Sequence, residues 1–404
     1  LVTLEYTWSQ VGLGSWGAAA YSQWGALPLL QTLALGGIWS IPFFIGWTAS
    51  VANLVWSEGL GGRQPRVAAL AASALLLSAL AWGGLRLSIE PPSTPTVRVA
   101  GVVVDNIATF NDTWGPVARG AELTPAMAEA ARPQTHALYS TLLEETRRQA
   151  RAGARIVVWS EANALVLADD EAMLLAEAAK LAQDEAIYLF LGLATLSPGR
   201  PLAENKVIAI DPLGRVLPPY LKSNPTPVET SVRGDGVMPF VDTPYGRIAW
   251  AICYDFDFIG LIRQAGRAGA DIMLNLAWDS SGMDPMHSQM AALRAIENGA
   301  AMVRVTNGGL SIAVDALGRT LAMTPYDGGA IRTMVADVPA RGRSTLYARL
   351  GDWLAWSLMS VLAFLVVRGA NWPGVRSNSN ETPLRPVHEG RNGGRALAGN
   401  GRAR

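Results

Sequence analysis

The stretch Arg247-Ile-Ala-Trp-Ala-Ile-Cys-Tyr-Asp-Phe-Asp-Phe258 joins an apolar run to the start of a helical pattern. Its first six residues are typical of a buried strand, and Cys253 follows them directly. A turn from strand to helix at this point exposes the Cys253 side chain at the carboxyl edge of a sheet, and the nearby helix N-terminus favours a thiolate. The stretch therefore predicts an α/β fold with a reactive Cys253, although this local context leaves an inert buried thiol open as well.

Cys253 is the only cysteine in the 404 residues, which excludes an internal disulfide and any site built from several cysteine ligands. A cysteine nucleophile usually needs a base. Of the three histidines only His287, just before a helical pattern, is kept open as that base, and a hydrogen-bonding role at the helix entry is the preferred interpretation. No metal and no cofactor are predicted.

Short β-rich runs alternate with helical patterns from about Ser88 to Leu350, which is typical of α/β organisation. Apolar residues recur in the helical patterns at a spacing of three to four. The predicted strands are Val97–Val104, Arg155–Val158, Ile187–Gly192, Lys206–Ile210, Arg247–Ile252, Ile272–Leu276, Met302–Val305 and Ser311–Val314, and the predicted helices are Gln134–Ala152, Glu171–Gln183, Phe258–Ala268 and Ser288–Asn298.

With 404 residues, 50% of them hydrophobic, the chain can hold one large globular domain and still have apolar sequence left over. The surplus lies in three stretches at about residues 33–56, 67–85 and 353–367. The first two are long enough to span a bilayer as helices, whereas the third is short for a span, so a buried core helix stays open beside the spanning interpretation. Acidic and basic residues number 33 each, and no nucleic-acid partner is predicted.

Arginines orient the predicted spans. Arg63 and Arg66 lie in the short link between the first two, and further arginines follow the third from Arg368 onward. Because cytoplasmic loops are enriched in Lys and Arg, the link and the tail are expected in the cytoplasm, and the tail could contact anionic lipid. The α/β region between the second and third spans is then expected on the opposite, extracytoplasmic side.

Two charged residues parallel Cys253 in position. Glu161 ends the strand-like run Arg155-Ile-Val-Val-Trp-Ser160, at a carboxyl strand end where α/β sites assemble. Lys222 follows Pro218-Pro-Tyr-Leu221, and an ammonium there could stabilise an oxyanion. Taken separately, each is interpreted as a solvated surface charge. Their order along the chain and their contexts together favour a shared site with Cys253.

In combination these segments resemble the nitrilase, or carbon–nitrogen hydrolase, superfamily, which carries a Glu–Lys–Cys triad in this order. Longer segments look most similar to its membrane branch, the apolipoprotein N-acyltransferase family. The segments that carry the resemblance are Trp159-Ser-Glu161, Tyr220-Leu-Lys222, Ile252-Cys-Tyr-Asp255, Gly17-Ala-Ala-Ala-Tyr-Ser-Gln23, His287-Ser-Gln-Met-Ala-Ala-Leu-Arg-Ala-Ile-Glu-Asn-Gly299, Val303-Arg-Val-Thr-Asn-Gly-Gly-Leu-Ser311 and Thr345-Leu-Tyr-Ala-Arg-Leu-Gly-Asp-Trp353.

The resemblance implies a nitrilase-like α-β-β-α sandwich attached to transmembrane helices in the inner membrane of a bacterium. Glu161 would be the general base, Lys222 would stabilise the oxyanion, and Cys253 would form a thioester with an acyl chain from a phospholipid. A diacylglyceryl-cysteine apolipoprotein would be the acceptor. The family has about eight spans where three are predicted, so missing upstream sequence or a smaller helix bundle is expected.

The apolar stretches, the α/β pattern and the resemblance together give the predicted division of the chain. Residues 1–87 form an N-terminal membrane region, residues 88–350 the nitrilase-like catalytic domain, and residues 351–370 a C-terminal transmembrane helix. Residues 371–404 form a disordered, Arg-rich cytoplasmic tail.

The departures from the family pattern concentrate where substrate is handled. Trp-Pro-Glu becomes Trp-Ser-Glu161, Cys-Tyr-Glu becomes Cys253-Tyr-Asp255, and Asn-Asp-Ala-Trp-Phe becomes Asn275-Leu-Ala-Trp-Asp279. The loop after the lysine is one residue shorter than in the family. The resemblance implies that Glu229 would take the role of the family's second glutamate, and a plain surface carboxylate stays open as the alternative. The choice of acceptor is therefore open. The predicted secondary catalytic or substrate-contacting residues are Glu229, Tyr254, Asp255 and Trp278.

Two other functions stay open at this point. A membrane-tethered amidase or nitrile hydrolase would use the same triad with water as the acceptor. A catalytically inactive lipid-binding or scaffold protein would need no intact triad, and the presence of all three residues argues against it. The apolar stretches on both sides of the α/β region favour the acyltransferase, because they would bring a lipid ester to Cys253.

Overall fold

The computed structural model describes residues 1–89, 95–118, 121–199, 202–327 and 329–370, so the predicted disordered tail, residues 371–404, lies outside the described residues. Within these ranges the strands are β1 Thr96–Val104, β2 Ile156–Trp159, β3 Ala164–Leu167, β4 Tyr188–Leu196, β5 Glu204–Ile210, β6 Tyr220–Leu221, β7 Phe240–Thr243, β8 Gly246–Ile252, β9 Ile272–Trp278, β10 Ala301–Asn307, β11 Ser311–Val314, β12 Thr320–Thr324 and β13 Ile331–Pro339.

The helices within the described residues are of very unequal length. Several consist of a single turn, and a 3₁₀ turn, Cys253–Asp257, lies between the eighth strand and the helix that follows it. The α-helices are α1 Val2–Trp8, α2 Leu27–Leu30, α3 Leu33–Gly36, α4 Ser40–Glu58, α5 Arg63–Ile89, α6 Ile107–Thr109, α7 Gly115–Ala118, α8 Pro125–Arg151, α9 Ala168–Asp184, α10 Ile259–Ala268, α11 Met286–Asn298, α12 Leu346–Leu350 and α13 Trp353–Ala370.

The strands form two sheets. The first has the order β13-β1-β2-β4-β5-β6, with β3 paired to β4, and the second has the order β12-β11-β10-β9-β8-β7. In the first sheet β1, β2 and β4 run parallel, and in the second β8, β9 and β10 do. Because the carboxyl ends of parallel strands meet at one edge of a sheet, the loops after these strands lie near one another.

Burial on both faces of the strands explains why the sheets stack. In β1, Val97, Val99 and Val103 belong to the core between the two sheets, whereas Ala100 and Val102 belong to the core under α8 and α9. Gly101 lets the sheets approach closely, since a Cβ there would lie 2.6 Å from Val305 Cγ2. With α11 packed against β10 and β11 of the second sheet, the predicted α-β-β-α sandwich is confirmed.

The predicted strands are all present, and β3, β6, β7, β12 and β13 were not predicted. Four of these five strands have two to five residues, too few to show a period. The long helix α8 begins at Pro125 rather than at the predicted Gln134. Pro133, which directly precedes the predicted start, lies inside the helix. A proline usually ends or kinks a helix, and here the helix continues through it.

Two helical segments are long and apolar enough to cross a membrane, by length and composition: Leu27–Glu58 and Arg63–Ile89. A shorter apolar helix covers Trp353–Gly369. The first predicted span, residues 33–56, differs from the structure, because Gly37 has a φ of 66° and separates α3 from the helix that begins at Ser40. Leu33 and Ile38 before that helix are buried in one core with Leu293 of α11. The division into domains stays a prediction.

Candidate active site

The predicted triad lies at the ends of strands from both sheets. Glu161 follows β2, Lys222 follows β6, and Cys253 follows β8. All three line one cavity of about 310 Å³, together with Glu229 and Trp278. A volume of this size is at the small end of the range for ligand sites. The remainder of the wall is mostly apolar and includes Phe110, Trp114, Ala162, Ala194, Leu196, Ala203 and Val228.

Cys253 sits on a strained turn, because its φ of 42° lies in the left-handed region that a side chain with a Cβ seldom adopts. Such a conformation costs about 1–3 kcal/mol and persists only where the surroundings enforce it. The Asp255 carboxylate does so here, accepting hydrogen bonds from the Ile252 N–H at 3.2 Å and the Asn224 N–H at 2.7 Å. The Tyr220 hydroxyl donates to the same carboxylate at 2.7 Å. Asp255 thus joins the turn to the loop after Lys222.

Three buried polar side chains and the half-buried Glu229 form the network beside the thiol. Lys222 Nζ donates to Glu161 Oε1 at 2.7 Å and to Glu229 Oε2 at 2.7 Å. Asn205 Nδ2 also bridges the two carboxylates, at 2.7 Å to Glu161 Oε1 and 2.9 Å to Glu229 Oε1. Gly192 of β4 leaves no room for a Cβ beside the main chain at Ser160, so the strand end that carries Glu161 lies directly on its neighbour.

The charges of this network set the protonation states at the site. Burial lowers the pKa of Lys222, but the carboxylates of Glu161 and Glu229 outweigh it and hold that pKa well above its ordinary value. Burial raises the pKa of Glu229, and Lys222 overcomes this effect and lowers it. Burial, reinforced by the charge of Glu161, raises the pKa of Cys253 well above its ordinary value. The resting thiol is therefore neutral and lies in the field of a carboxylate that can act as a base.

Trp278 contacts the triad through its main chain. Its N–H donates to Glu161 Oε2 at 2.8 Å, and its carbonyl oxygen accepts from Cys253 Sγ at 3.5 Å. Its indole ring packs edge-on against Phe110, with the ring centroids 4.5 Å apart. One residue at the end of β9 therefore orients the carboxylate and the thiol and also forms part of the apolar wall.

The other predicted residues lie off the cavity. Tyr254 and Asp255 are not among the described residues that line it. The Tyr254 ring packs edge-on against Phe258, with the ring centroids 5.2 Å apart, and Asp255 stabilises the turn at Cys253. His287 near the start of α11 is buried and bridges Asp257 at 2.8 Å and Asp279 at 2.7 Å. Asn205 and Arg304 were not predicted. No sequence signal separates Asn205 from an ordinary polar residue near the start of a strand.

Cys253, Asp279 and His287 bring potential metal-binding atoms within 4.8 Å of one another. The Arg304 guanidinium occupies the same space, and its Nη2 atom donates to both Asp279 oxygens at 2.8 and 2.9 Å. Burial and Arg304 lower the pKa of His287, but the carboxylates of Asp257 and Asp279 raise it to about 9. Two cations already balance these acids, which does not fit a metal centre.

The ion-paired His287 predicts a loss of stability in alkali. The pKa of His287 rises from 6.5 to about 9 on folding, so its pairing stabilises the protein fully below pH 6.5 and loses this contribution as the pH rises through 9. A shift of this size corresponds to roughly 3 kcal/mol. Thermal melts from pH 6 to pH 10 should show the midpoint falling over this range. A His287→Gln variant should start lower and fall less, and an equal fall in both proteins would contradict the assignment.

The similarity of this chain to known proteins covers the sandwich and also most of the chain outside it. The sequence pattern of the carbon-nitrogen hydrolase family matches residues 121–346. An apolipoprotein N-acyltransferase of Gloeobacter violaceus is 30% identical over 94% of this chain and 72% of its own length. One of Geobacter metallireducens is 26% identical over 91% and 73%. The solved structure of an amidase from Nesterenkonia sp. matches with a TM-score of 0.47 and 18% identity, over 63% of this chain and 93% of that one.

Proposed function

We propose that this chain, which belongs to the apolipoprotein N-acyltransferase branch of the carbon-nitrogen hydrolase family, carries the acyl group as a thioester on Cys253. The acyl donor is a phospholipid, and the acceptor is the N-terminal amine of a diacylglyceryl-cysteine lipoprotein. Glu161 acts as the general base, Lys222 stabilises the oxyanion, and Cys253 is the nucleophile. Glu229 holds Lys222 in place from its other side.

The observation that carries the proposal is the shared cavity. A thiol, a carboxylate and an ammonium line it together, and its other walls are largely apolar. The thiol contacts the carbonyl oxygen of the same residue, Trp278, whose N–H holds Glu161. An apolar cavity suits an acyl chain, and a carboxylate and an ammonium on the same wall as the thiol support the roles proposed for Glu161 and Lys222.

The first half of the reaction forms the thioester. Glu161 takes the proton of Cys253 as Sγ attacks the ester carbonyl, and the negative charge develops on the carbonyl oxygen. The Lys222 ammonium, already charged, stabilises that oxygen without having to reorganise. When the intermediate collapses, the carbon–oxygen ester bond breaks and the protonated Glu161 gives its proton to the departing lysophospholipid oxygen.

The second half transfers the acyl group to the amine. The neutral amine attacks the thioester carbonyl, Glu161 accepts a proton from the nitrogen, and the carbon–sulfur bond breaks. The Cys253 sulfur takes the proton back from Glu161, so the thiol and the carboxylate return to their starting states. A hydrolase would follow the same steps with water in place of the amine.

We further propose that the sandwich lies on the extracytoplasmic side of the inner membrane of a bacterium. The two long apolar helices supply the membrane attachment, and Arg63 at the start of α5, with Arg66, marks the cytoplasmic turn between them. This orientation brings the cavity to the leaflet that holds both lipid substrates.

The expected result is a labelled acyl-enzyme. Purified protein in detergent, mixed with a phospholipid that carries a fluorescent sn-1 acyl chain, should acquire a label that neutral hydroxylamine removes, as expected of a thioester. Mass spectrometry of the digested protein should locate the label on Cys253. No label on the wild-type protein would refute a phospholipid donor.

The acceptor is tested on the labelled protein. A diacylated lipopeptide should discharge the label faster than buffer alone, and the label should appear on its N-terminal amine. A lipopeptide with an acetylated amine is the matched control and should discharge no faster than buffer. Equal rates with both peptides and with buffer would favour the hydrolase over the acyltransferase.

A further inference from the structure

Behind the thiol lies a buried ion cluster that the proposed reaction does not use. Asp279 accepts two hydrogen bonds from Arg304 and one from His287, and His287 in turn contacts Asp257. All four side chains are almost completely buried, with at most 3% of any residue exposed. Two acids and two bases give the cluster no net charge, but its acid at position 279 is the member that lies against Cys253.

Two oxygen acceptors lie within hydrogen-bonding reach of the sulfur on this side, and the His287 ring and the Arg304 guanidinium lie behind the second of them. Cys253 Sγ lies 3.5 Å from the Trp278 carbonyl oxygen and 3.9 Å from Asp279 Oδ1. A neutral thiol can donate its hydrogen to either oxygen, whereas a thiolate would be repelled by both. The geometry therefore favours the protonated form before substrate binds.

We propose that Asp279 is a positioning residue that holds Cys253 as a protonated thiol in the resting enzyme and directs its S–H away from solvent. The inference rests on the proposed role of Cys253 as the nucleophile. Arg304 and His287 keep Asp279 ionised, so its carboxylate always remains a hydrogen-bond acceptor for the Cys253 S–H. The thiol then loses its proton only to Glu161, as the acyl donor is attacked.

The consequence is a thiol that is shielded from side reactions. The thiolate is the form that alkylating and oxidising agents attack, so a protonated cysteine reacts slowly with both. Activation is thereby tied to the ester carbonyl that receives the sulfur. A cysteine that was permanently ionised would lack this protection.

The test compares variants whose effects have opposite signs. Asp279→Asn keeps an oxygen for Arg304 but leaves the cluster with a net positive charge, so the thiol should ionise more readily. His287→Gln keeps a hydrogen-bonding side chain but leaves a net negative charge, so the thiol should ionise less readily. If the substitutions merely loosened the fold, the pKa of Cys253 would move toward its ordinary value of about 8.5 in both variants.

The measurement is the rate of iodoacetamide alkylation of Cys253 against pH, on the full chain in detergent. For Asp279→Asn we expect the midpoint to fall by about one pH unit, which is about tenfold faster alkylation near neutrality. For His287→Gln we expect the midpoint to rise. The charged groups that act on this thiol are Glu161, Lys222, Asp279 and Arg304, with His287 and Asp257 behind them.

Asp257→Asn is the matched control, because it removes the same charge on the far side of His287 and should shift the midpoint less than Asp279→Asn. Equal shifts, shifts of one sign in the first two variants, or no shift would overturn the proposal. If Asp279→Asn does not fold, the direction of the His287→Gln shift decides. Alkylation needs no acyl transfer, so a failure of the proposed function would appear separately, as absent thioester with unchanged alkylation shifts.

Discussion

Cys253→Ala is expected to abolish acyl-enzyme formation and to lower transfer to the lipopeptide by about four orders of magnitude or more. Cys253 is the only cysteine in the chain, and the groups beside it in the cavity are a lysine and carboxylates that are paired with each other. Without the sulfur, no covalent intermediate can form, and the amine would have to attack the phospholipid ester directly. Single-turnover labelling with the fluorescent phospholipid measures the loss.

The control for this variant is its fold. Alanine must adopt the same left-handed φ of 42° at position 253, so the strain of the turn is unchanged and the thermal midpoint should stay close to that of the wild type. Cys253→Ser tests the base as well, because a hydroxyl is far harder to deprotonate, and Glu161 should activate it poorly. Persistent labelling of Cys253→Ala would place the nucleophile elsewhere.

The parts of this site that could be predicted from the sequence are the residues that directly follow a recognisable strand pattern. Glu161 and Cys253 each follow an apolar run that is long enough to be recognised as a strand, and parallel strands carry such residues to one edge. Lys222 follows a strand of only two residues, so its connection to the other two was predicted from the order along the chain and from the family resemblance rather than from a strand pattern. The structure adds what links them, a pair of ion bridges and the main chain of Trp278.

The remainder could not be predicted because it depends on contacts between segments far apart in sequence. His287 and Asp257 are 30 residues apart, and Arg304 reaches Asp279 across 25. Nothing in the local pattern of either segment shows that an acid at position 279 faces the thiol. The break at Gly37 has the same origin, since the residues around it pack on a helix that begins near residue 286.

The site therefore combines two ion clusters with different tasks around one sulfur. On one side Glu161, which we propose as the base, is paired with Lys222 and lies on the cavity wall. On the other side Asp279, paired with Arg304, is buried off the cavity and offers only an acceptor. Both acids have cationic partners, Lys222 for Glu161 and Arg304 for Asp279.

Lys222→Met is expected to damage both activity and stability, and the two effects can be separated. The variant leaves Glu161 and Glu229 facing each other without a cation, and removing one partner of a buried ion pair costs about 3–5 kcal/mol. If Lys222 stabilises the oxyanion as we propose, its loss should lower the rate of acyl-enzyme formation by about 10²- to 10³-fold. Thermal melts and single-turnover labelling on the same preparation measure the two effects.

The pH dependence of stability and a matched lysine variant separate the loss of stability from the loss of activity. Lys222 holds the pKa of Glu229 below 4.5, so this pairing adds stability above pH 4.5 and loses it as the pH falls, and the deficit of the variant should shrink toward pH 4. Lys206 is also buried and bridges two carboxylates, Glu171 at 2.8 Å and Glu204 at 2.7 Å, but it does not line the cavity. Lys206→Met should therefore cost stability while folded protein labels at the wild-type rate. If both lysine variants lose labelling alike, Lys222 acts only by holding the fold together, and the oxyanion role assigned to it is wrong.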